Sequence, residues 1–566
     1  MDDGVKSSGI RCHDDGKPET VSASQTDPSA PTSDCDGVEV PVIPTARFWG
    51  LCVGVLLGLF LSMIDTSIVA TSLHNIGVDF EVLEDVNWVA LAYTLAYLGC
   101  AIVFARISDI VGRRNAFIAA YIIFFIFSLA CGFAQSISQL IAFRALQGIG
   151  GSGLYSLTMI MLPELSPDSL KQHMGAMVGL VITISGVLGP VLGGILTHYA
   201  SWRWVFWING PVGFVSLVIF IFAWPKPEYL PSQERRAWKE LDFLGSFLAI
   251  AAAVLVVFSF QNAGTQRSND GWKTAMFIAP LVCGLLACGL LVAWQIFMQS
   301  RWHDRFAPAF PVNIFRNRIY STAVINTLLN GFPYLLLIYA IPLRFQVVSG
   351  KSALLSGVML LPMLGASAAG SVIAGKINST KNYTFESLLV GSSVMTLGCG
   401  LLISLSHESD DAKLLGYMTF CGLGFGLTVA SSTMLSTVEV PIRDYAPAQG
   451  ILSQVRLLGG SLGIAASSAL LNEKSSQYLS GVLTPYEQAT IGGSDTHLSD
   501  IQWSAVRYTY ADAFNVEMKV ATAVAACSVI SALGAFRKER LLVAEQRGAI
   551  VQEEAARRRE QAAQVA

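Results

Sequence analysis

Charge is what this sequence is short of. Asp, Glu, Lys and Arg make up 14% of its 566 residues against 53% hydrophobic residues, where soluble domains carry roughly 25% charge. A chain that cannot cover its apolar surface with charge is excluded from the soluble globular class and belongs in a bilayer. Net charge is −3 and no long basic stretch occurs, which argues against nucleic acid as a partner. Cysteine is scattered: Cys12 and Cys35 lie in a polar tail and the other eight fall inside apolar runs. That spacing spells neither a disulfide framework nor a metal site. Histidine is scarce, and His13, His74, His173, His198, His303, His407 and His497 all fall in tails, loops or span edges. With no H-E-x-x-H and no Walker lysine motif, metalloprotease and nucleotide-driven chemistry drop out and no cofactor is expected.

Long apolar runs are what the sequence does have. Fourteen stretches are long enough to cross a hydrocarbon core about 30 Å thick. They cover about 48–70, 87–107, 116–135, 139–161, 174–197, 204–224, 243–260, 275–298, 319–343, 353–375, 386–405, 412–436, 448–471 and 512–536. This predicts an all-α, polytopic membrane protein. A six-helix bundle over 47–224 is followed by connectors with two inserted helices over 225–318 and a second six-helix bundle over 319–536. Residues 1–46, rich in Ser, Asp, Pro and Thr without an apolar core, predict a disordered cytoplasmic tail, and 537–566 a second cytoplasmic tail. An even span count puts both ends on one side. With both ends inside, cytoplasmic segments carry 25 Lys and Arg and outward loops 8, the bias that sets orientation. The sequons at Asn378 and Asn382 then fall on a cytoplasmic loop, and neither is expected to carry a glycan.

Ionisable residues inside spans are costly and mark function by default. Asp65 in the first span and Arg144 in the fourth are the clearest, each about six residues, or about 9 Å, below the same outer end. Two readings fit: the pair merely neutralises itself, or Asp65 titrates when a cavity opens and Arg144, which keeps its proton, responds. Arg456 in the thirteenth span is a third coupling candidate, with snorkelling to the cytoplasmic side as the plain alternative. Glu517 and Lys519 read as interfacial at the outer edge of the last span. In the loop after span 2, Asp109 stands four residues before Arg113, a spacing at which acid and base meet across a turn and latch the cytoplasmic mouth. Arg114 beside them fits plain orientation signal better. In span 5, Gly186, Gly189, Pro190, Gly193 and Gly194 offer a small-residue stripe with a proline bend, suited to a seam between two moving bundles. Asn209, Asn326, Asn330, Gln346 and Gln454 are candidate cavity donors, with helix-to-helix ties as the alternative.

The run RALQGIGGSG (144–153) spells both G-x-G-x-x-G and G-x-S-G. A dinucleotide loop needs a strand before its glycines, and an intramembrane serine protease needs a histidine facing the serine. Here the run lies inside a span and no histidine does. Its glycines and Ser152 predict a smooth helix face just past Arg144.

Five segments in register carry a resemblance: MIDTSIVATSL (63–73), ARISDIVGRRN (105–115), LIAFRALQGIGGSG (140–153), GVLGPVLGGIL (186–196) and WRWVFWINGPVG (202–213). Together they resemble the major facilitator superfamily and, within it, the fourteen-span drug:H⁺ antiporters of fungal multidrug and toxin efflux. Ala105 departs from the glycine usual at its place. The resemblance implies proton coupling at Asp65 and Arg144, an inner gate at Asp109, Arg113 and Arg114, and export rather than uptake from the span 5 segment. The many aromatics and few further charges of the spans suggest a small lipophilic substrate; the resemblance adds a proton gradient as the only energy source and the cell membrane, with a vacuolar or vesicular membrane as the alternative site, and a monomer is the default. A proton-linked nutrient or siderophore uptake permease on the same fold is the alternative function.

Overall fold

The computed structural model describes residues 44–69, 72–80, 86–226, 241–265, 273–301, 308, 310–405, 411–441, 444–479, 481–483 and 499–537. The tails expected over 1–46 and 537–566 lie outside these residues apart from 44–46 and 537, as does most of the connector before residue 241.

The regular elements are helices, as a bilayer demands, because a helix satisfies its own backbone donors and acceptors where no water can. The first set is α1 (Thr45–Ile68), a short α2 (Leu73–Asp79), α3 (Asn87–Val111), α4 (Arg113–Gly132), α5 (Ile137–Leu165), α6 (Asp168–Tyr199), α7 (Trp204–Trp207) and α8 (Asn209–Ala223). Two helices follow, α9 (Phe243–Thr265) and α10 (Ala275–Arg301). The last set is α11 (Arg318–Val347), α12 (Ala353–Val358), α13 (Leu361–Thr380), α14 (Thr384–Leu402), α15 (Asp411–Glu439), α16 (Tyr445–Leu479) and α17 (Asp500–Leu533).

Among the described residues, twelve helices are long and apolar enough to cross a membrane. The two remaining expected spans, 139–161 and 448–471, correspond to α5 and α16, which have 29 and 35 residues but fall short in apolarity. In α5 the reason is the glycine run. A Cβ on Gly148 would meet the Tyr93 carbonyl oxygen of α3 at 2.5 Å, and one on Gly153 would meet Ala120 Cβ of α4 at 2.6 Å. Small residues thus let α5 pack into both neighbours, and its apolarity is given up for contact.

The last helix begins earlier than expected. Ser499 and Gln502 form a capping box, each side chain satisfying the other's backbone N–H, and this starts α17 twelve residues before the apolar run does. Glu517 and Lys519, expected at an outer edge, are therefore mid-helix: Glu517 is buried and Lys519 exposed.

Within the first set α5 packs on α3 and α4, and α1 on α6 and α8. In the last set α11 packs on α16 and α17, and α15 on α13 and α14. The sets are joined chiefly by α6 with α13 and α3 with α16, with lesser contacts of α6 on α12 and α15 and of α5 on α16, and α9 of the inserted pair rests on both α3 and α16. Asp242 fastens that pair: it caps α9 through the Gly245 N–H at 2.7 Å, accepts Trp294 Nε1 of α10 at 2.9 Å, and is bonded by Gln295 of the same helix. The Asn378 amide nitrogen is buried and donates to the Ala374 carbonyl at 2.7 Å and to Ser387 Oγ at 3.2 Å. A glycan there does not fit this packing.

Candidate functional site

Asp65 lies one turn from the end of α1 and is fully buried. Its Oδ2 accepts Arg144 Nη1 of α5, and its Oδ1 accepts Gln147 Nε2 of α5 at 3.0 Å and Asn209 Nδ2 of α8 at 3.1 Å. Arg144 Nη1 also donates to Gln147 Oε1 at 2.9 Å, and Nε donates to the Val89 carbonyl of α3 at 3.1 Å. Its guanidinium carbon stands 4.1 Å from the centre of the Tyr93 ring, and the Tyr93 hydroxyl donates to the Ser62 carbonyl at 2.9 Å. Three helices thus converge on one carboxylate, and its charge is met by three donors. Buried charge is tolerable when so paired. The arrangement has a chemical consequence: a proton on Asp65 would cancel the charge that holds Arg144 and loosen α1 from α5.

The second cluster lies at the other end of α3. Gly112, with φ of 92°, turns the chain from α3 into α4, a backbone region that glycine enters without cost. The turn brings Asp109 Oδ1 to Arg113 Nη1 at 2.7 Å. Arg113 Nε pairs with Glu164 at the end of α5 at 3.1 Å, and Arg113 also bonds Ser108. Arg106, 1% exposed, reaches Asp109 at 3.4 Å and Asp444, just before α16, at 3.3 Å. The Asp109–Arg113 pair is therefore one part of a chain of charges that ties the first helix set to the last. Arg114 is exposed and outside it. Ala105 is fully buried, and the methyl it adds is accommodated by Gly450 of α16, where a Cβ would lie 3.1 Å from that of Ala105.

A model of the Major Facilitator Superfamily matches residues 55–464. The chain belongs to the major facilitator superfamily. Among curated relatives it is similar to the MFS-type transporter FPY5 of Fusarium mangiferae, 32% identical over 86% of this chain and 83% of that one. It is also similar to the efflux pump FUS6 of Gibberella moniliformis, 32% identical over 76% of this chain and 75% of that one. Among solved structures, a bacterial homologue of the lysosomal transporter Spinster, in an inward-facing, unoccupied conformation, aligns with a TM-score of 0.52 at 15% identity. It covers 87% of this chain and 97% of the other, a likeness of fold.

Of the α6 glycines, Gly189 is the tight one: a Cβ there would strike Ser67 Oγ and meet the Ile68 nitrogen at 3.0 Å, both on α1, and Ser67 Oγ donates to the Ser185 carbonyl at 3.2 Å. Gly193 is buried, Gly194 is exposed, and Gly186 and Gly194 have open space where a Cβ would go. The expected seam of glycines is corrected accordingly. Gly189 seals α6 to α1 beside the Asp65 cluster, and it is the helix as a whole that meets α13. The side chain of Pro190 lies outside the described residues.

The amides are corrected in the same way. Asn209 serves Asp65 and also Ser128 Oγ at 3.0 Å. Asn326 binds Ser392 Oγ at 3.0 Å and the Ser528 carbonyl at 2.9 Å, and Asn330 binds Asn326 Oδ1 at 2.9 Å. Both are tied up between α11, α14 and α17 rather than free in a cavity. Gln454 donates to the Leu98 carbonyl at 3.1 Å and joins α16 to α3. Gln346 is half-buried near the end of α11. Arg456 is half-buried in α16 with its Nε lacking a partner, and its carbonyl packs on Gly331 of α11.

Gln147, Glu164, Arg106 and Asp444 carry weight that motif spacing alone did not assign. Gln147 had a signal, since it follows Arg144 by three residues and shares its helix face. Asp444 had none, because its partner Arg106 lies 338 positions away.

Proposed function

We propose that this chain exports small lipophilic organic molecules in exchange for protons, with Asp65 as the proton carrier and Arg144 as the group that answers to its charge. The coarser part, a transporter of the efflux class, rests on family membership and on relatives named as efflux pumps. The finer part is carried by one observation: the buried Asp65–Arg144 ion pair, with its amide supports, between α1, α5 and α8. When Asp65 is ionised the guanidinium is held and the three helices are tied. When the site opens to the acidic side and Asp65 takes a proton, Arg144 keeps only its neutral partners, Gln147 Oε1 and the Val89 carbonyl. The helix contact then relaxes, and substrate and proton occupy the protein in alternation. The Arg106–Asp109–Asp444 chain, placed on the cytoplasmic side by the Lys and Arg distribution, latches that side shut while the outer side is open.

In this reading both termini are cytoplasmic, the working unit is a monomer in the cell membrane, and no cofactor takes part. Transport into everted vesicles, comparing wild type with Asp65→Asn, tests the coupling. The neutral isostere should cost export about tenfold or more, equivalent to at least about 1.4 kcal/mol of lost coupling, and a protonophore should stop the wild type. Export that survives both would refute the proposal.

A further inference from the structure

Two carboxylates are buried in the described helices, and the coupling scheme above uses only Asp65. The other is Glu517, halfway along α17 and 3% exposed. It faces α11 and α16, where its neighbours are the Tyr339 and Ser467 hydroxyl groups. The charged groups nearby are engaged elsewhere or turned away. On α11, the Arg344 guanidinium lies 5.0 Å over the Phe514 ring. On α16, Lys474 pairs with Asp512 of α17 at 2.8 Å. From α14 the packed side is apolar around the buried Cys399 thiol, and on α17 itself Lys519 is exposed. Among the described residues no cation stands within ion-pair distance of Glu517, and Ser467 Oγ beside it closes no hydrogen bond of good geometry.

The contrast with Asp65 decides the chemistry. Asp65 has a guanidinium and two amides, so it is built to be ionised. Glu517 has no donor set of that kind, and a carboxyl buried in a span without a cation sheds its charge by holding a proton. Glu517 lies sixteen residues, about 24 Å, from the end of α17, and Asp65 twenty residues, about 30 Å, from the start of α1. If the two termini share a face, the two acids occupy the same half of the membrane. Resting on the proton-driven reading, we propose that Glu517 is a second proton-binding site, so that each bundle carries one titrating carboxyl, Asp65 ionised and Glu517 protonated in this conformation.

Infrared difference spectroscopy on the full chain in lipid nanodiscs at neutral pH reads this directly. Wild type and Asp65→Asn should show the carbonyl band of a protonated carboxylic acid, and Glu517→Gln should lack it. Labelling the wild type with carbon-13 glutamate should shift the band, which answers the question without any substitution should Glu517→Gln not fold. In everted vesicles, Glu517→Gln should change the pH profile of export, leaving only the dependence that Asp65 confers, and Glu517→Asp should keep the wild-type profile. A band that persists in Glu517→Gln and ignores the label would overturn the site. Wild-type export indifferent to a protonophore would instead overturn the proton-driven reading, and the band would still report on Glu517.

Discussion

Arg144 occupies a position where a cation stays only if an acid holds it. Its guanidinium is 1% exposed and spends one of its nitrogens on Asp65 and Gln147 together. Breaking a buried pair by removing one partner costs about 3–5 kcal/mol, because the survivor is left charged and unpaired. Replacing both can be nearly neutral. Asp65→Ala alone should therefore lower the melting temperature more than the double change Asp65→Asn with Arg144→Gln, which keeps size and hydrogen bonds without charge. Measured by thermal unfolding in detergent, the double variant should regain most of the lost stability while remaining inactive in export. Equal losses in the two proteins would show that the pair does not carry its helices together. The charges of this site were legible in the sequence because a span tolerates so few of them. The amides were not: an Asn or Gln in a span serves equally well as a cavity donor or a helix tie, and Asn209, Asn326 and Asn330 turn out to be ties.

At the level of elements, the short α2 shows how an unremarkable loop acquires a fixed place. Asp79 at its end accepts Trp202 Nε1 at 3.0 Å and Arg203 Nη1 at 3.0 Å, and Arg203 stacks over the Trp202 ring at 4.3 Å. The Trp202–Arg203 pair before α7 is thus a clamp on the segment between α1 and α3. The Trp202 hydrogen bond, with Arg203 behind it, holds the Asp79 carboxyl below the usual carboxylate range against a smaller opposing effect of burial. A carboxylate lowered in the folded state stabilises fully above its unfolded value of about 3.9 and loses that contribution as pH falls through the lowered value. Hydrogen exchange of the α2 amides, corrected for intrinsic rate, should be level from neutral pH down to about 4 and then accelerate, and Asp79→Asn should show the faster rate at neutral pH already. A flat profile in the wild type below that point would remove Asp79 from the clamp. The sequence showed the apolar spans well and these devices poorly. The capping box at Ser499 and Gln502 lies in a polar stretch, so it moves the start of α17, and Glu517 with it, in a way that hydropathy does not register.

For the whole molecule, the decisive contacts are those between helices far apart in sequence. The first and last sets meet through α6 with α13 and α3 with α16, and α9 spans the second of these seams. Along α3, Gln454 reaches the Leu98 carbonyl, Ala105 lies against Gly450, and Arg106 pairs with Asp444. Alternating access requires this seam to open on each cycle. A Cβ on Gly450 would stand 3.1 Å from that of Ala105, slightly closer than the Cβ separation of about 3.5–4.5 Å that a disulfide spans, so a small outward shift of either helix makes a bond geometrically possible. In a background with the ten native cysteines replaced, Ala105→Cys with Gly450→Cys should cross-link under mild oxidation. Export should then fall to the background level and return on reduction, while either single cysteine should be indifferent to oxidant. The charge chain supplies the matching loosening experiment: Asp444→Asn removes the charge that pairs with Arg106 from the other set, and it should slow cross-linking by leaving the seam open more of the time. A cross-linked protein that exports at the full rate would mean that α3 and α16 never part, and the moving seam would have to lie elsewhere.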